Sequence, residues 1–152
     1  MQQQFSSIQE ILDFAIERED EAQLFYLDLA QKAKSPVIRD LLEGFAAEEM
    51  GHKLKLQAVE AGEFGLNPDE DIPEMNVTDY VTDVEPSDEM TYAEALVVAM
   101  KREKAAYRLY VDLAGAAQAA ELTDMLLGLA NEEAKHKLRF ELEYDRHTGG
   151  GF

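Results

Sequence analysis

Two of the three histidines in this sequence stand three positions after a glutamate, as Glu49-x-x-His52 and Glu133-x-x-His136. Residues i and i+3 share one face of a helix, so each pair offers a carboxylate oxygen and an imidazole nitrogen from a single wall. With 20 Glu among 152 residues, chance places a Glu three residues before a His roughly 0.4 times in such a chain. The two pairs are also separated by a constant offset. At that offset of 84, Glu19, Ala22, Tyr26, Asp28, Leu29 and Ala30 recur as Glu103, Ala106, Tyr110, Asp112, Leu113 and Ala114. The correspondence runs without a gap from Ala15 to Leu56, so the protein is two copies of one unit. Glu19, Glu49, His52, Glu103, Glu133 and His136 are the candidate metal ligands and, with the metal, the candidate catalytic set.

The unit that must position these residues is a helical hairpin. Ser7-x-x-Glu10 and Thr91-x-x-Glu94 read as capping boxes, and Ser35-Pro36 as an N-cap followed by proline at the first helical position. Gly62 is a stop signal, and Gly149-Gly150-Gly151 lies beyond the last helix. The spacing predicts helices near 7–33, 36–61, 91–117 and 120–146, and hence hairpin repeats near 7–61 and 91–146. Residues 63–90 carry Pro68, Pro73 and Pro86 and read as a crossover, with Asp69-Glu70-Asp71 a solvated acidic run. A 26-residue helix is roughly 40 Å long, which about 12 extended residues can span. The crossover can therefore traverse the bundle and leave the second and third helices parallel. The expected fold is all-α, a ferritin-like four-helix bundle over residues 1–148, with 149–152 a flexible tail.

Each helix carries a seam with steps of three and four. The seams read Leu12, Ala15, Glu19, Ala22, Tyr26, Leu29, Ala33; Leu42, Phe45, Glu49, His52, Leu56; Leu96, Ala99, Glu103, Ala106, Tyr110, Leu113, Ala117; and Leu126, Leu129, Glu133, His136, Phe140. A seam faces the core, yet each of these holds a Glu. Burying an unpaired carboxylate costs several kcal/mol even after relaxation, and four together repel one another. Protonation is one remedy, through strongly raised pKa values. Basic partners are another, but no Lys or Arg occupies a seam position. Two divalent cations are the third, and their charge balances four carboxylates. A glutamate from each of two helices and a Glu-x-x-His from each of the other two is the carboxylate constellation of dimetal bundles.

The flanking residues read less sharply. Tyr26 and Tyr110 sit two turns beyond Glu19 and Glu103, either bonded to a ligand or simply buried with some other partner for the hydroxyl. Glu48 and Glu132 fall one position off the seam and read as exposed flanking groups, with a metal access point the alternative. Asp28 and Asp112 belong to a solvated face, and His147 has no matching Glu and is expected to be inert.

Composition excludes whole classes. The formal charge is −18, which leaves no basic footprint for nucleic acid and disfavours anionic membranes. The same negative surface would concentrate metal cations. There is no Cys, hence no disulfide, Cys-ligated zinc, iron–sulfur centre or thiol nucleophile. No apolar run is long enough to span a bilayer, and the N-terminus lacks the pattern of a signal peptide, so a cytoplasmic protein is expected.

Glu19-x-x-Ala22-x-x-Phe25-Tyr26, Glu49-Met50-Gly51-His52, Glu103-x-x-Ala106-x-x-Leu109-Tyr110 and Glu133-Ala134-Lys135-His136 together resemble the rubrerythrin family, over almost the whole chain. The resemblance implies a non-haem di-iron centre of two iron ions that reacts with peroxide or dioxygen. It makes Glu49 and Glu133 the bridging carboxylates, and Glu19, Glu103, His52 and His136 terminal ligands. It also implies a homodimer. Fuller members carry a four-Cys rubredoxin-type domain, absent here, so electrons must come from an external donor such as a rubredoxin-type protein. Rubrerythrins proper place an extra Glu where this chain has Ala106, which leaves a symmetric six-ligand site. Manganese or zinc would also suit these ligands. The alternatives are a ferroxidase in iron storage or detoxification, and a helical interaction module with a structural metal pair.

Overall fold

A computed structural model describes residues 4–66, 74–82, 86–87 and 89–149. The acidic run 69–71 and the tail beyond Gly149 lie outside these residues. Four long helices make up the bundle: α1 (Ile8–Lys32), α2 (Pro36–Glu60), α3 (Tyr92–Ala116) and α4 (Ala120–Thr148). Their ends follow the local chemistry. Ser7 Oγ accepts from the Glu10 amide at 3.0 Å, and Ser35 Oγ accepts from the Ile38 amide at 3.4 Å, with Pro36 opening α2. The box at α3 is complete, since Thr91 Oγ1 caps the Glu94 amide and Glu94 caps the Thr91 amide. At α1 only half a box forms, because the Glu10 carboxylate turns to the Ser6 hydroxyl at 2.5 Å. Gly62 and Gly149, at φ 92° and 86°, take the left-handed backbone that follows α2 and α4 at little steric cost.

Within each hairpin the turn is a few residues, so α1 and α2 are antiparallel, as are α3 and α4. The hairpins meet through α1 on α3 and α2 on α4. Side-chain pairs fix the directions. Glu19 meets Tyr110 while Tyr26 meets Glu103, so α1 and α3 are antiparallel. Glu48 meets His136 while His52 meets Glu132, so α2 and α4 are too. It follows that α2 and α3 run parallel, as the crossover length requires. The described part of the crossover contains a single 3₁₀ turn, Val77–Asp79. It is pinned at two places: the Phe5 amide donates to Met75 O at 3.1 Å, and the Tyr80 hydroxyl donates to Asp112 at 2.6 Å. Asp112 therefore anchors the crossover in addition to facing solvent, whereas its repeat partner Asp28 pairs only locally with Lys32.

The apolar core is divided. One cluster gathers Ile11, Leu12, Leu56, Leu113, Leu126 and Leu129, and the other Tyr26, Leu29, Leu42, Phe45, Leu96 and Phe140. Each fully buried aliphatic side chain contributes about 1.5–3 kcal/mol. Between the clusters lies the polar layer that the seams predict.

Candidate metal centre

All six candidate ligands are buried, none more than 2% exposed. Their ligand atoms form two groups, Glu19–Glu49–His52–Glu133 and Glu49–Glu103–Glu133–His136, each with its atoms within 4.8 Å of one another. Glu49 and Glu133 belong to both groups. His52 Nδ1 lies 2.9 Å from Glu133 and 3.2 Å from Glu19; His136 Nδ1 lies 3.0 Å from Glu49 and 3.7 Å from Glu103. The hairpin repeat thus becomes a nearly two-fold site, with α1 and α3 supplying one carboxylate each and α2 and α4 one Glu-x-x-His each.

The hydrogen bonding tests whether a metal fits. Among the described residues, the buried side-chain polar atoms without a hydrogen-bond partner are Arg18 Nε and atoms of these six residues: both Glu49 oxygens, one oxygen each of Glu19, Glu103 and Glu133, and Nδ1 of both histidines. Folded proteins rarely leave such atoms unsatisfied, and an unpaired buried acceptor costs about 1–3 kcal/mol. Seven orphaned lone-pair donors gathered in one buried layer could hold a metal.

Four further atoms of the set are held by neighbours. The Tyr110 hydroxyl donates to Glu19 Oε1 at 2.8 Å, and the Tyr26 hydroxyl donates to Glu103 Oε1. Both bonds cross between hairpins. Burial, with the charge of the facing glutamates, raises both phenols well above their ordinary range, so they stay protonated donors. On the opposite face, His52 Nε2 bonds Glu132, and His136 Nε2 bonds Glu48 at 2.5 Å. Here the flanking-group expectation holds for exposure and misses a contact. The Glu48 and Glu132 side chains are about half exposed, at 52% and 41%, but they reach across the α2/α4 seam and hold the imidazoles. Their repeat offset was the only signal in the sequence. Which helix they reach is a property of the packing. Phe45 stacks on His136 at 4.2 Å and completes the wall. His147 lies apart, edge-on to Tyr92 at 4.8 Å.

Without cations the cluster must hold protons. Burial pushes Glu19 up to about 8, with the Glu49 charge adding to the rise and His52 opposing it. Burial also lifts Glu133 well above the carboxylate range, reinforced by the charges of Glu103, Glu19 and Glu49. Burial would depress the imidazoles, but the contacts of His52 with Glu19, and of His136 with Glu103 and Glu49, outweigh it. They raise His52 to about 9 and His136 to about 11.

The site opens on the α1/α3 side into a cavity of about 350 Å³ that reaches all four glutamates and both tyrosines. Ala106 lines it and is partly exposed.

A four-helix bundle with one long crossover and a carboxylate–imidazole cluster at mid-height defines the ferritin-like class of bundles that can hold a metal pair. The model of the Rubrerythrin family matches residues 10–144, and the chain belongs to that family. A solved structure, "Hypothetical Protein Pfu-1136390-001" from Pyrococcus furiosus, superposes with a TM-score of 0.72 at 27% identity, covering 92% of this chain and 89% of that one. A comparison with curated proteins found no match. No helix among the described residues is long and apolar enough to cross a membrane.

Proposed function

We propose that the protein is a di-iron oxidoreductase that reduces hydrogen peroxide or dioxygen, with electrons from an external donor such as a rubredoxin-type protein. The observation that carries this reading is the convergence of orphaned ligand atoms from Glu19, Glu49, His52, Glu103, Glu133 and His136 in one buried layer. Iron held there would supply the two one-electron equivalents that cleave a peroxide bond. Glu49 and Glu133 belong to both ligand groups and would serve both ions, with the other four residues serving one ion each. Tyr26 and Tyr110 hold Glu103 and Glu19 in fixed orientations, and Glu132 and Glu48 turn Nδ1 of each imidazole inward. The apolar clusters above and below keep bulk water from the layer, and the α1/α3 cavity admits the oxidant. We place the protein in the cytoplasm, as a homodimer.

The test is anaerobic loading with ferrous iron followed by peroxide. The expected outcome is two irons per chain, near-ultraviolet absorption characteristic of ferric iron, and repeated turnover with a reductant. A protein that binds no iron, or shows no spectral change on oxidation, would overturn the reading. A ferroxidase role is favoured by one observation, the half-exposed Glu48 and Glu132 in contact with the imidazoles on an acidic chain. In that case iron would be released or accumulated after oxidation instead of being retained through turnover. Zinc or manganese would satisfy the ligands without this redox chemistry, so metal analysis of protein purified without oxygen comes first.

A further inference from the structure

The cavity between α1 and α3 is larger than a two-oxygen oxidant requires. A water molecule takes about 30 Å³ of liquid, so roughly ten would fit in its 350 Å³. Cavities for organic ligands begin at about 300 Å³. Its lining mixes polar and apolar groups, the apolar part including Phe14, Ala22, Ala106 and Leu109.

The rim has the opposite sign from the molecule as a whole. Arg18 and Arg102, equivalent residues of the two repeats, line the cavity. An adjoining groove of about 240 Å³ shares Val81, Thr82 and Ala105 with it and is lined by Lys101, Lys104 and Arg108. Five of the 14 basic residues thus border two connected hollows, against Glu21 and Asp79 on the same rims. The α3 cations are not inherited from the repeat, because the equivalent α1 positions are Glu17, Asp20 and Leu24. Arg18 keeps a buried Nε–H without an acceptor, while its Nη2 donates to Glu21 at 3.0 Å and lies 3.8 Å from Glu17, and Arg102 shares Glu21 at 4.0 Å, so the rim keeps a net positive charge through Lys101, Lys104 and Arg108.

We propose that this cavity binds a small organic carboxylate, its anionic head at Arg18 on the cationic rim and its apolar body between Phe14, Ala22, Ala106 and Leu109. The polarity follows from the two ends. The two phenols of the floor already donate to Glu19 and Glu103 and offer an anionic head no free hydroxyl, whereas the rim carries the basic side chains. The inference extends the metal-centre reading by naming a ligand class for the chamber above it.

The probe is sodium hexanoate, titrated calorimetrically into the purified protein, with metal content measured on the same sample. Saturable one-to-one binding is expected, about tenfold weaker for 1-hexanol and for acetate, and absent for hexylammonium. Arg18→Gln should weaken hexanoate about tenfold, and Ala106→Phe, which fills the chamber from α3, should abolish binding with the circular dichroism spectrum of the bundle unchanged. Failure of hexanoate to saturate, hexanol binding as tightly as hexanoate, or an Arg18→Gln variant that binds like the parent would each overturn the proposal. Protein that retains two metals but ignores hexanoate sinks this inference alone. Protein that binds hexanoate but never metal sinks the metal-centre reading alone.

Discussion

The α2/α4 face and the α1/α3 face of the bundle enclose the same six ligands and treat them oppositely. On the α2/α4 face each imidazole is held by a carboxylate from across the seam, and Phe45 packs against His136. On the α1/α3 face Glu19 and Glu103 are each held by a phenol, and a cavity opens to a cationic rim. Duplication makes the ligand set symmetric about an axis. It does nothing to make the two faces alike, because different helices form them. One face can therefore be rigid and acidic while the other is open and basic, and orientation of ligands is separated from admission of reactants.

The largest expected effect comes from the two residues common to both faces. Replacing Glu49 and Glu133 together by Leu should abolish binding of both ions, read as metal per chain. The same variant should make the metal-free protein more stable by about 1–4 kcal/mol in denaturant titrations, because three buried oxygens without a hydrogen-bond partner become apolar packing. Loss of stability instead would mean that the carboxylates contribute structure without metal.

Glu132→Gln and Glu48→Gln probe the closed face. Each should weaken metal binding about 10–100-fold by competition with a chelator, because the imidazole loses its orienting partner. If both bind metal like the parent, the contrast between the faces is only geometric.

Acid should weaken metal binding, since protons compete for the same atoms. In the metal-free protein Glu19 sits at about 8 and His52 at about 9, both raised, so both carry protons at neutral pH that a metal must displace. Affinity should thus fall about tenfold per pH unit for each proton displaced as pH drops below these values, and a weakly buffered indicator should report proton release on metal addition.

Tyr110→Phe probes the open face more gently. Glu19 Oε1 loses its donor, which should cost about 1–3 kcal/mol in the metal-free protein by chemical denaturation. Tyr26→Phe should cost a similar amount through Glu103, and a large inequality between them would expose asymmetry hidden in the repeat.

The smallest effect lies outside the site. Glu60 is raised from 4.5 to about 7, by burial first and then by Asp13 beside it. The folded chain holds this proton more tightly than the unfolded one. The contribution of Glu60 to stability is therefore fully present below about 4.5 and is lost as pH rises through 7. Glu60→Gln should slightly raise the thermal midpoint at pH 8 and leave it unchanged at pH 4.

The hairpins and the six ligands are readable in the residue order because both depend on local spacing. The seam of α1 places Glu19 among Leu12, Ala15, Tyr26 and Leu29 on one stripe, and helical geometry alone directs that stripe inward. The offset of 84 supplies the second copy. Glu48 and Glu132 escape this reasoning, since spacing puts each one turn before its own helix's histidine, whereas each bonds the histidine of the other hairpin. Tyr26 and Tyr110 likewise bond the glutamate of the opposite helix, a choice that the crossing of α1 and α3 makes.

By itself the chain of residues determined an acidic four-helix bundle with four glutamates and two histidines in its interior, because periodicity and the cost of buried charge need no tertiary information. Only the packed bundle decided which side chain restrains which ligand, and that the α1/α3 wall is hollow and rimmed with cations. Contacts between helices distant in sequence depend on the relative rotation and separation of rigid rods, and no local pattern encodes those.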